Sequence, residues 1–459
     1  MKVQFAILFW LLWTTVATAS STVEQLLANV GLNGKASVVL MDIETGRMVE
    51  AVNPRKALPP ASVTKAVTVP YAISALGTDF RFTTQVIATG PIENGKVRGD
   101  LVLVGGGDPL LDTDGLFKMA EQLRAKGVKG VTGDFLFVDG AIANVTHLDR
   151  EQPDYVGYNP AISGLNLNFN RVFFQWKGSA VSVTAKGEDH APSVEGVQVA
   201  ISERKGPVFK HAKQKGKEVW TVARSAMGDS GSRWLPVREP GSYAAEVFRT
   251  LAQDNGIALP EPKRSNQGVS GTVLVSESGA NLVALSRGML KFSTNLSAEI
   301  VGIRASEARG KSLADHKASA RAMTQWAKRH YGVSAISFND HSGLNDASSA
   351  SGRALAEIMR KEAKTGLYPA LLKSIPIEGS TSVTVRAKTG TLNFVSALSG
   401  IIEGPRGTYA FAILMADEGL RRQGKRDGVE RPVGARSWKT KARGTQKAIL
   451  GYWAEAYLQ

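Results

Sequence analysis

The segment Ser62-Val63-Thr64-Lys65 has residue types and a spacing that suggest chemistry. On a helix, residues three positions apart lie on one face, so the lysine amine can approach the serine hydroxyl. A serine hydroxyl becomes a nucleophile when a base takes its proton, and lysine can be that base when burial or a second cation lowers its pKa. The helix N-terminus adds N–H groups where an oxyanion could form. The same spacing also occurs by chance in surface helices, so this segment alone is weak support for acyl transfer.

Two further polar segments lie far downstream. Ser293-Thr294-Asn295 precedes a helical pattern, and by itself it could be an ordinary N-cap. Lys388-Thr389-Gly390-Thr391 leads into the strand-like run Val395 to Ile402. There the glycine leaves room for a ligand to approach the backbone, the threonines offer hydroxyls, and the lysine offers a cation for a carboxylate. By itself this segment could be an ordinary turn at a strand edge.

The three segments together are more specific than any one of them. They follow the order S-x-x-K, S-x-N and K-T-G, which is the signature of penicillin-binding proteins and serine β-lactamases. Each motif also lies in the predicted element that the signature requires: the first at a helix start, the second at a helix entry and the third at a strand. The joint occurrence argues against coincidence.

Longer stretches of the chain resemble one family within that class. These segments are Pro60 to Lys65, Gly99 to Pro109, Asp340-His341-Ser342-Gly343-Leu344 and Ala387 to Leu392. On them the chain resembles the low-molecular-mass class C penicillin-binding proteins, which are D-alanyl-D-alanine carboxypeptidases of the penicillin-binding protein 4 type (peptidase S13 family). Ser62 and Ser293 are more than twice as far apart as Ser293 and Lys388, which leaves room for the inserted region of this family and argues against a simple β-lactamase.

This resemblance implies roles for the catalytic residues. Ser62 would attack the carbonyl of the penultimate D-Ala of a peptidoglycan stem peptide, and Lys65 would take the serine proton. Lys388 would favour the neutral form of Lys65 by like-charge repulsion. Ser293 would pass the proton to the departing amine. The order in which these groups act as general base stays open.

The resemblance also implies a substrate-binding set. Asn295 would orient the substrate amide, and Lys388, Thr389 and Thr391 would hold the terminal carboxylate beside Gly390. The backbone N–H groups of Ser62 and Thr391 would form the oxyanion hole. No metal or organic cofactor is implied. The chain has no cysteine, and its His residues lack helical metal-ligand spacing.

The expected partners are peptidoglycan muropeptides ending in D-Ala-D-Ala and β-lactam antibiotics, which would acylate Ser62 as covalent inhibitors. Three alternatives remain. The enzyme could also be a DD-endopeptidase that cuts cross-links with the same site. It could be a serine β-lactamase with fast deacylation. It could also be a non-enzymatic cell-wall-binding protein, although Ser62, Lys65 and Lys388 are all retained.

The predicted fold class is α/β. We expect a discontinuous β-lactamase/transpeptidase-like catalytic domain, with an antiparallel sheet flanked by helices, and inserted β-rich domains. The domain prediction is a signal peptide at residues 1–19, the first catalytic part at 20–78, an inserted β-rich region of two subdomains at 79–270, and the second catalytic part at 271–459.

Several local predictions concern single elements. A helix should run from Ala61 or Ser62 to Leu76, with a kink or an early end at Pro70. Further helices are predicted over residues 278–290 and 446–458. The basic segment 421–447 is interpreted as a solvated mobile loop, with contact to an anionic wall polymer as the alternative. The side chain of His341, which replaces a glycine of the family pattern, is expected to face solvent.

The first residues predict export. Lys2, the apolar run Phe5 to Trp13 and the A-x-A pattern Ala17-Thr18-Ala19 together indicate a secretory signal peptide, with an uncleaved anchor as the alternative. We therefore expect an exported, periplasmic protein, either soluble or peripherally attached to a membrane. The net charge of +15 suits an anionic wall or membrane surface, and export excludes nucleic acid as the expected partner.

Overall fold

A computed structural model describes residues 21–310, 315–377, 381–426 and 428–459. The predicted signal peptide at residues 1–19 lies outside the described residues. Within these ranges no helix is both long enough and apolar enough to cross a membrane. The α-helices of the described chain are α1 (Thr22–Ala28), α2 (Lys65–Leu76), α3 (Thr113–Ala125), α4 (Pro240–Asp254), α5 (Leu282–Phe292), α6 (Asn295–Ala308), α7 (His316–Tyr331), α8 (Gly352–Ala363), α9 (Leu367–Leu371), α10 (Glu418–Arg426) and α11 (Ala435–Trp453).

The strands form several sheets. In chain order they are β1 (Ala36–Asp42), β2 (Met48–Val52), β3 (Ala57–Leu58), β4 (Arg81–Ala88), β5 (Ile92–Glu93), β6 (Lys96–Val97), β7 (Leu101–Gly105), β8 (Gly130–Val131), β9 (Phe135–Val138), β10 (Arg171–Lys177), β11 (Ala180–Thr184), β12 (Val197–Ser202), β13 (Phe209–Gln214), β14 (Lys217–Ala223), β15 (Ser230–Pro236), β16 (Pro262–Arg264), β17 (Thr272–Asn281), β18 (Ile336–Ser337), β19 (Ser349–Ser351), β20 (Lys373–Ile375), β21 (Thr384–Leu392), β22 (Val395–Gly404) and β23 (Gly407–Ala416).

The largest sheet joins the two ends of the chain. Its order is β2-β1-β23-β22-β21-β20, and every neighbouring pair is antiparallel. Alternate residues of β1 point to opposite faces, as a period of two requires. Val39 packs with α2 and α8 in one core, whereas Val38 packs with α1 and α11 in another. Helices therefore cover both faces of a sheet that is discontinuous in sequence, which confirms the predicted catalytic fold.

The intervening chain has its own core. The sheet β16-β9-β7-β4-β17 packs against α3 and α4, and the sheets β11-β10-β15 and β12-β14-β13 lie beside it. Buried side chains from Val86 to Val275 form one hydrophobic cluster there. The inserted β-rich architecture is thus as predicted. Residues 79 and 270, as the limits of the insertion, stay a prediction.

The helix that follows Ser62 continues through its proline. Ala61–Thr64 forms a 3₁₀ turn, and α2 then runs from Lys65 to Leu76, with Gly77 as its C-cap. Pro70 has no N–H and cannot bond the carbonyl of Ala66 one turn earlier. The Tyr368 hydroxyl donates to that carbonyl at 2.7 Å instead. The predicted extent to Leu76, with Gly77 as the stop, is therefore confirmed. The early end, one of the two possibilities at Pro70, does not occur, because a residue distant in sequence supplies the missing donor.

Two local predictions are wrong. Residues 278–281 belong to β17, and α5 begins only at Leu282, after Asn281 caps it with a 2.9 Å bond to the N–H of Ala284. The basic segment 421–447 is mostly helical, in α10 and α11, and the last helix begins at Ala435. Its small and apolar residues form a stripe that is buried against the main sheet, and this packing stabilises the helix.

Candidate active site

Ser62 lies in a tight turn, and the backbones of two other chain segments pack closely against this turn. A side chain at Gly343, whose φ is +78°, would collide with the carbonyl of Ala61. At Gly390 of β21 a Cβ would lie 2.5 Å from the carbonyl oxygen of Pro60. Only glycine allows both backbones to come this close. The Ser62 turn, the Gly343 loop and the Lys388-Thr389-Gly390-Thr391 segment are thus brought to one place.

Lys65 is fully buried and lies beside the serine. Its Nζ donates to Ser62 Oγ at 3.0 Å, to Asn295 Oδ1 at 2.7 Å and to the Ser342 carbonyl at 2.7 Å. Burial lowers the pKa of Lys65 to about 8, although the charges of Asp340 and Glu299 act in the opposite direction. A neutral amine is therefore accessible near neutral pH, as a general base requires.

Lys388 forms a second amine–serine pair. Its Nζ donates to Ser293 Oγ at 3.0 Å and to the Thr389 carbonyl at 2.7 Å. Burial and then the charge of Lys65 lower the pKa of Lys388 to about 6. The expectation that Lys388 sets the protonation of Lys65 is thus revised. Burial is what lowers the pKa of Lys65. The like-charge repulsion between the two lysines lowers the pKa of Lys388 instead.

The S-x-N segment separates two helices. Ser293 has φ +61° and ends α5, while Thr294 is the N-cap residue of α6 without a capping side-chain bond. Ser293 is therefore not an ordinary N-cap. Asn295 is the first residue of α6, and its Nδ2 donates to the Tyr158 carbonyl at 2.7 Å. Its amide thus links the lysine to the inserted region.

An open cleft runs from this cluster to the helical basic segment. Its volume is about 1530 Å³, and Ser62, Ser293, Asn295 and Thr391 lie in its wall. Thr389, Gly390 and Thr391 follow Lys388 on β21, which pairs with β22. The structure therefore brings Ser62, Lys65, Ser293, Asn295, Lys388 and Thr391 together at one site. Gly390 lies against the Ser62 turn, whereas Thr389 is exposed and is not in the wall of the cleft.

Two buried carboxylates beneath the site were missed as functional groups. Glu299 accepts the N–H groups of His341, at 3.1 Å, and Ser342, at 2.8 Å. Burial and then the charge of Asp340 raise the pKa of Glu299 to about 8. Asp340 accepts the N–H of Gly343 at 2.8 Å. Glu299 lies one helical turn after Asn295, and this i, i+4 spacing is the signal that could have indicated it.

The prediction for His341 is wrong, because its side chain is completely buried. Its Nε2 lies 2.7 Å from Ser319 Oγ, and its ring is nearly parallel to that of Tyr71. Burial lowers the pKa of His341 to about 3, so the imidazole is neutral. The ring fits only because the facing residue on α6 is Gly302. His341 is thus a packing residue beneath the loop that holds Lys65.

An antiparallel sheet between helices, with a serine–lysine pair at the start of a buried helix, defines a serine hydrolase of the β-lactamase/transpeptidase-like fold. The fold is similar to the crystal structure of penicillin binding protein 4 (dacB) from Haemophilus influenzae, with a TM-score of 0.74 and 18% identity over 94% of this chain and 100% of that chain.

Sequence comparison gives the family. The chain is 26% identical over 442 residues to a D-alanyl-D-alanine carboxypeptidase of Actinomadura sp. (strain R39), covering 85% of this chain and 80% of that protein. It is 24% identical over 417 residues to the carboxypeptidase DacB of Mycolicibacterium smegmatis (strain ATCC 700084 / mc(2)155), covering 83% and 76%. The chain belongs to the D-Ala-D-Ala carboxypeptidase 3 (S13) family, which matches residues 19–433. The predicted family, the serine-peptidase class and D-Ala-D-Ala carboxypeptidase activity are thereby confirmed.

Proposed function

We propose that Ser62 is the acylated nucleophile of this carboxypeptidase. The observation that carries the proposal is the 3.0 Å contact between Ser62 Oγ and the buried amine of Lys65, whose pKa is lowered to about 8. Neutral Lys65 takes the hydroxyl proton while Oγ bonds to the penultimate D-Ala carbonyl. The C–N bond to the terminal D-Ala then breaks, and the departing amine receives a proton. Water finally hydrolyses the ester and regenerates Ser62.

Ser293 and Lys388 complete the proton route. Ser293 Oγ lies 3.0 Å from Lys388 Nζ and in the same cleft as Ser62, so it can pass a proton to the departing amine. The pKa of about 6 makes Lys388 largely neutral at pH 7 in the free enzyme. A bound carboxylate favours the ammonium form, so substrate binding draws a proton onto Lys388. Thr389, Gly390 and Thr391 then complete the carboxylate site.

Asn295 orients the substrate amide. Its Oδ1 accepts from Lys65 and its Nδ2 donates to Tyr158, which fixes the plane of the side chain. An amide oxygen has a second lone pair and an amide NH₂ a second hydrogen, so one position on each remains for substrate. N–H groups of Ser62 and Thr391 would stabilise the oxyanion, at about 10²–10³ in rate for each donor.

The substrates are muropeptides with D-Ala-D-Ala ends, and β-lactams acylate Ser62 because their strained amide lies beside a carboxylate. DD-endopeptidase activity is a second candidate function. The cleft of about 1530 Å³ favours it, since pockets for single small ligands usually measure about 300–1,000 Å³. The protein would act after export, in the periplasm, either soluble or peripherally attached.

Incubation of the purified protein with intact cross-linked muropeptides, with products identified by mass, tests these activities. Loss of one D-Ala from pentapeptide stems is the carboxypeptidase product, and separated stems are the endopeptidase product. Ser62→Ala should abolish both. Rapid turnover of a chromogenic cephalosporin would favour the β-lactamase alternative instead. Wall binding without any D-Ala release would favour the non-enzymatic one.

A further inference from the structure

The cleft that contains Ser62 extends to a row of cations on α11. Arg436, Lys439 and Lys441 lie in its wall, and the neighbouring Arg443 donates to Thr391 Oγ1 at 3.1 Å. These four residues are called the cation wall below. Residues 436, 439 and 443 follow the i, i+3, i+7 spacing of one helix face. The opposite face, which includes Trp438 and Ala442, is buried. The wall is thus continuous with the reaction site at Thr391.

The acidic groups in the cleft are already paired with other cations. Glu430 bonds Arg233 at 3.2 Å, and Asp346 bonds Arg421. Lys425 bonds both Asp346 and Glu151. In the described residues, no residue of the cation wall has an ion-pair partner. The wall therefore presents uncompensated positive charge to whatever occupies the cleft.

Helix stability does not explain these cations. The first turn of α11 contains no acidic residue, although the partial positive charge of a helix N-terminus favours acidic side chains there. Arg436 and Lys439 lie near that end, and both also repel Arg443 on the same face. A local arrangement that lowers stability without an evident structural gain indicates a functional site. An anionic ligand would relieve the repulsion.

We propose that the cation wall binds free carboxylates of the substrate beyond its D-Ala-D-Ala end, so that the enzyme selects acidic stem peptides over their amidated forms. This inference rests on the proposed function, because the ligand at the wall is the extension of the ligand at Ser62. The position favours a peptide over a membrane surface. The cations line a cleft shared with the nucleophile, and a flat bilayer cannot enter a cleft.

Calorimetric binding to Ser62→Ala tests the proposal without turnover. The two probes are a pentapeptide ending in D-Ala-D-Ala with two further free carboxylates, and the same peptide with both amidated. Two solvent-accessible charge contacts predict about tenfold tighter binding of the acidic probe. Because such contacts are screened, the preference should shrink as salt is added. Arg436→Glu/Lys439→Glu should abolish it.

Lys317→Glu/Arg321→Glu is the matched control. It reverses two exposed cations near the start of α7, a helix outside the cleft lining. This pair should keep the preference for the acidic probe. If Arg436→Glu/Lys439→Glu fails to fold, Arg436→Gln/Lys439→Gln is used in its place. This neutral pair should reduce the ratio of the two probe affinities to near one.

Equal affinity for the two probes in the Ser62→Ala protein would overturn the proposal, as would loss of the preference in the α7 control. Binding to vesicles of anionic phospholipid together with equal probe affinities would assign the wall to a membrane and also overturn it. These outcomes are separate from the proposed function. That function fails when the unmodified protein releases no D-Ala from either probe, whichever probe binds more tightly.

Discussion

Gly302→Ala should destabilise the protein through its contact with His341. A Cβ at position 302 of α6 would overlap the imidazole ring. The ring cannot move away easily, because Ser319 bonds its Nε2 at 2.7 Å and Met323 lies 3.4 Å from its Nδ1. Overpacking of this kind costs about 3 kcal/mol at the upper end, and alanine recovers about 1 kcal/mol of helix propensity. The expected loss in the free energy of unfolding is about 2 kcal/mol.

The same substitution should behave differently without the imidazole. In a His341→Gly protein the added methyl has space, so Gly302→Ala should stabilise by up to about 1 kcal/mol. The coupling energy of the double-mutant cycle is then about 3 kcal/mol. Urea unfolding of the four proteins measures it. Gly288→Ala on α5, where a Cβ would meet no atom within 4 Å, is the control and should be neutral or stabilising.

This packing also affects the reaction. The N–H of His341 is held by Glu299, and the next residue, Ser342, accepts a bond from Lys65 through its carbonyl. A shift of this loop should slow acylation by a fluorescent penicillin about tenfold in Gly302→Ala, and His341→Gly should partly restore the rate. Additive effects on stability, or a stable and fully active Gly302→Ala protein, would refute the packing account.

The remaining predictions concern protonation, a close backbone approach and a helix bond. The acylation rate should rise with pH through about 8, because Lys65 can accept a proton only above its pKa; a rate that is flat from pH 6 to 9 would contradict this role. Gly343→Ala should lower the acylation rate at least about a hundredfold in stopped-flow assays, because φ is +78° and the new methyl would displace the Ser62 turn. Tyr368→Phe should lower the free energy of unfolding in urea by about 1–2 kcal/mol, because the Ala66 carbonyl loses its donor. Pro70→Ala restores an N–H at that position and should reduce the loss caused by Tyr368→Phe. An unchanged loss would argue against the compensating role of Tyr368.

The sequence indicated which residues lie together better than it indicated their surroundings. The i, i+3 spacing of Ser62 and Lys65 fixes their contact once the 3₁₀ turn and the start of α2 form, and the three motifs indicate the class of reaction. The contact between Lys388 and Ser293 depends on how β21 meets the junction of α5 and α6. That arrangement results from long-range packing, which local spacing does not encode.

The local features that the sequence did not indicate share a cause. Pro70 normally ends a helix, but Tyr368 supplies the missing hydrogen bond from a distant part of the chain. A loop histidine is normally exposed, but Gly302 leaves a space for His341. The many charges of residues 421–447 conceal an apolar stripe that the main sheet buries. In each case tertiary contacts outweigh the local tendency of the sequence.

Acylation by a labelled penicillin, followed by mass spectrometry of the digested protein, tests the central claim most directly. The account predicts one penicilloyl adduct, attached to Ser62 in the peptide that precedes α2, and no adduct in Ser62→Ala. Stoichiometric labelling of any other residue, or persistent labelling of the Ser62→Ala protein, would contradict the assignment of the nucleophile.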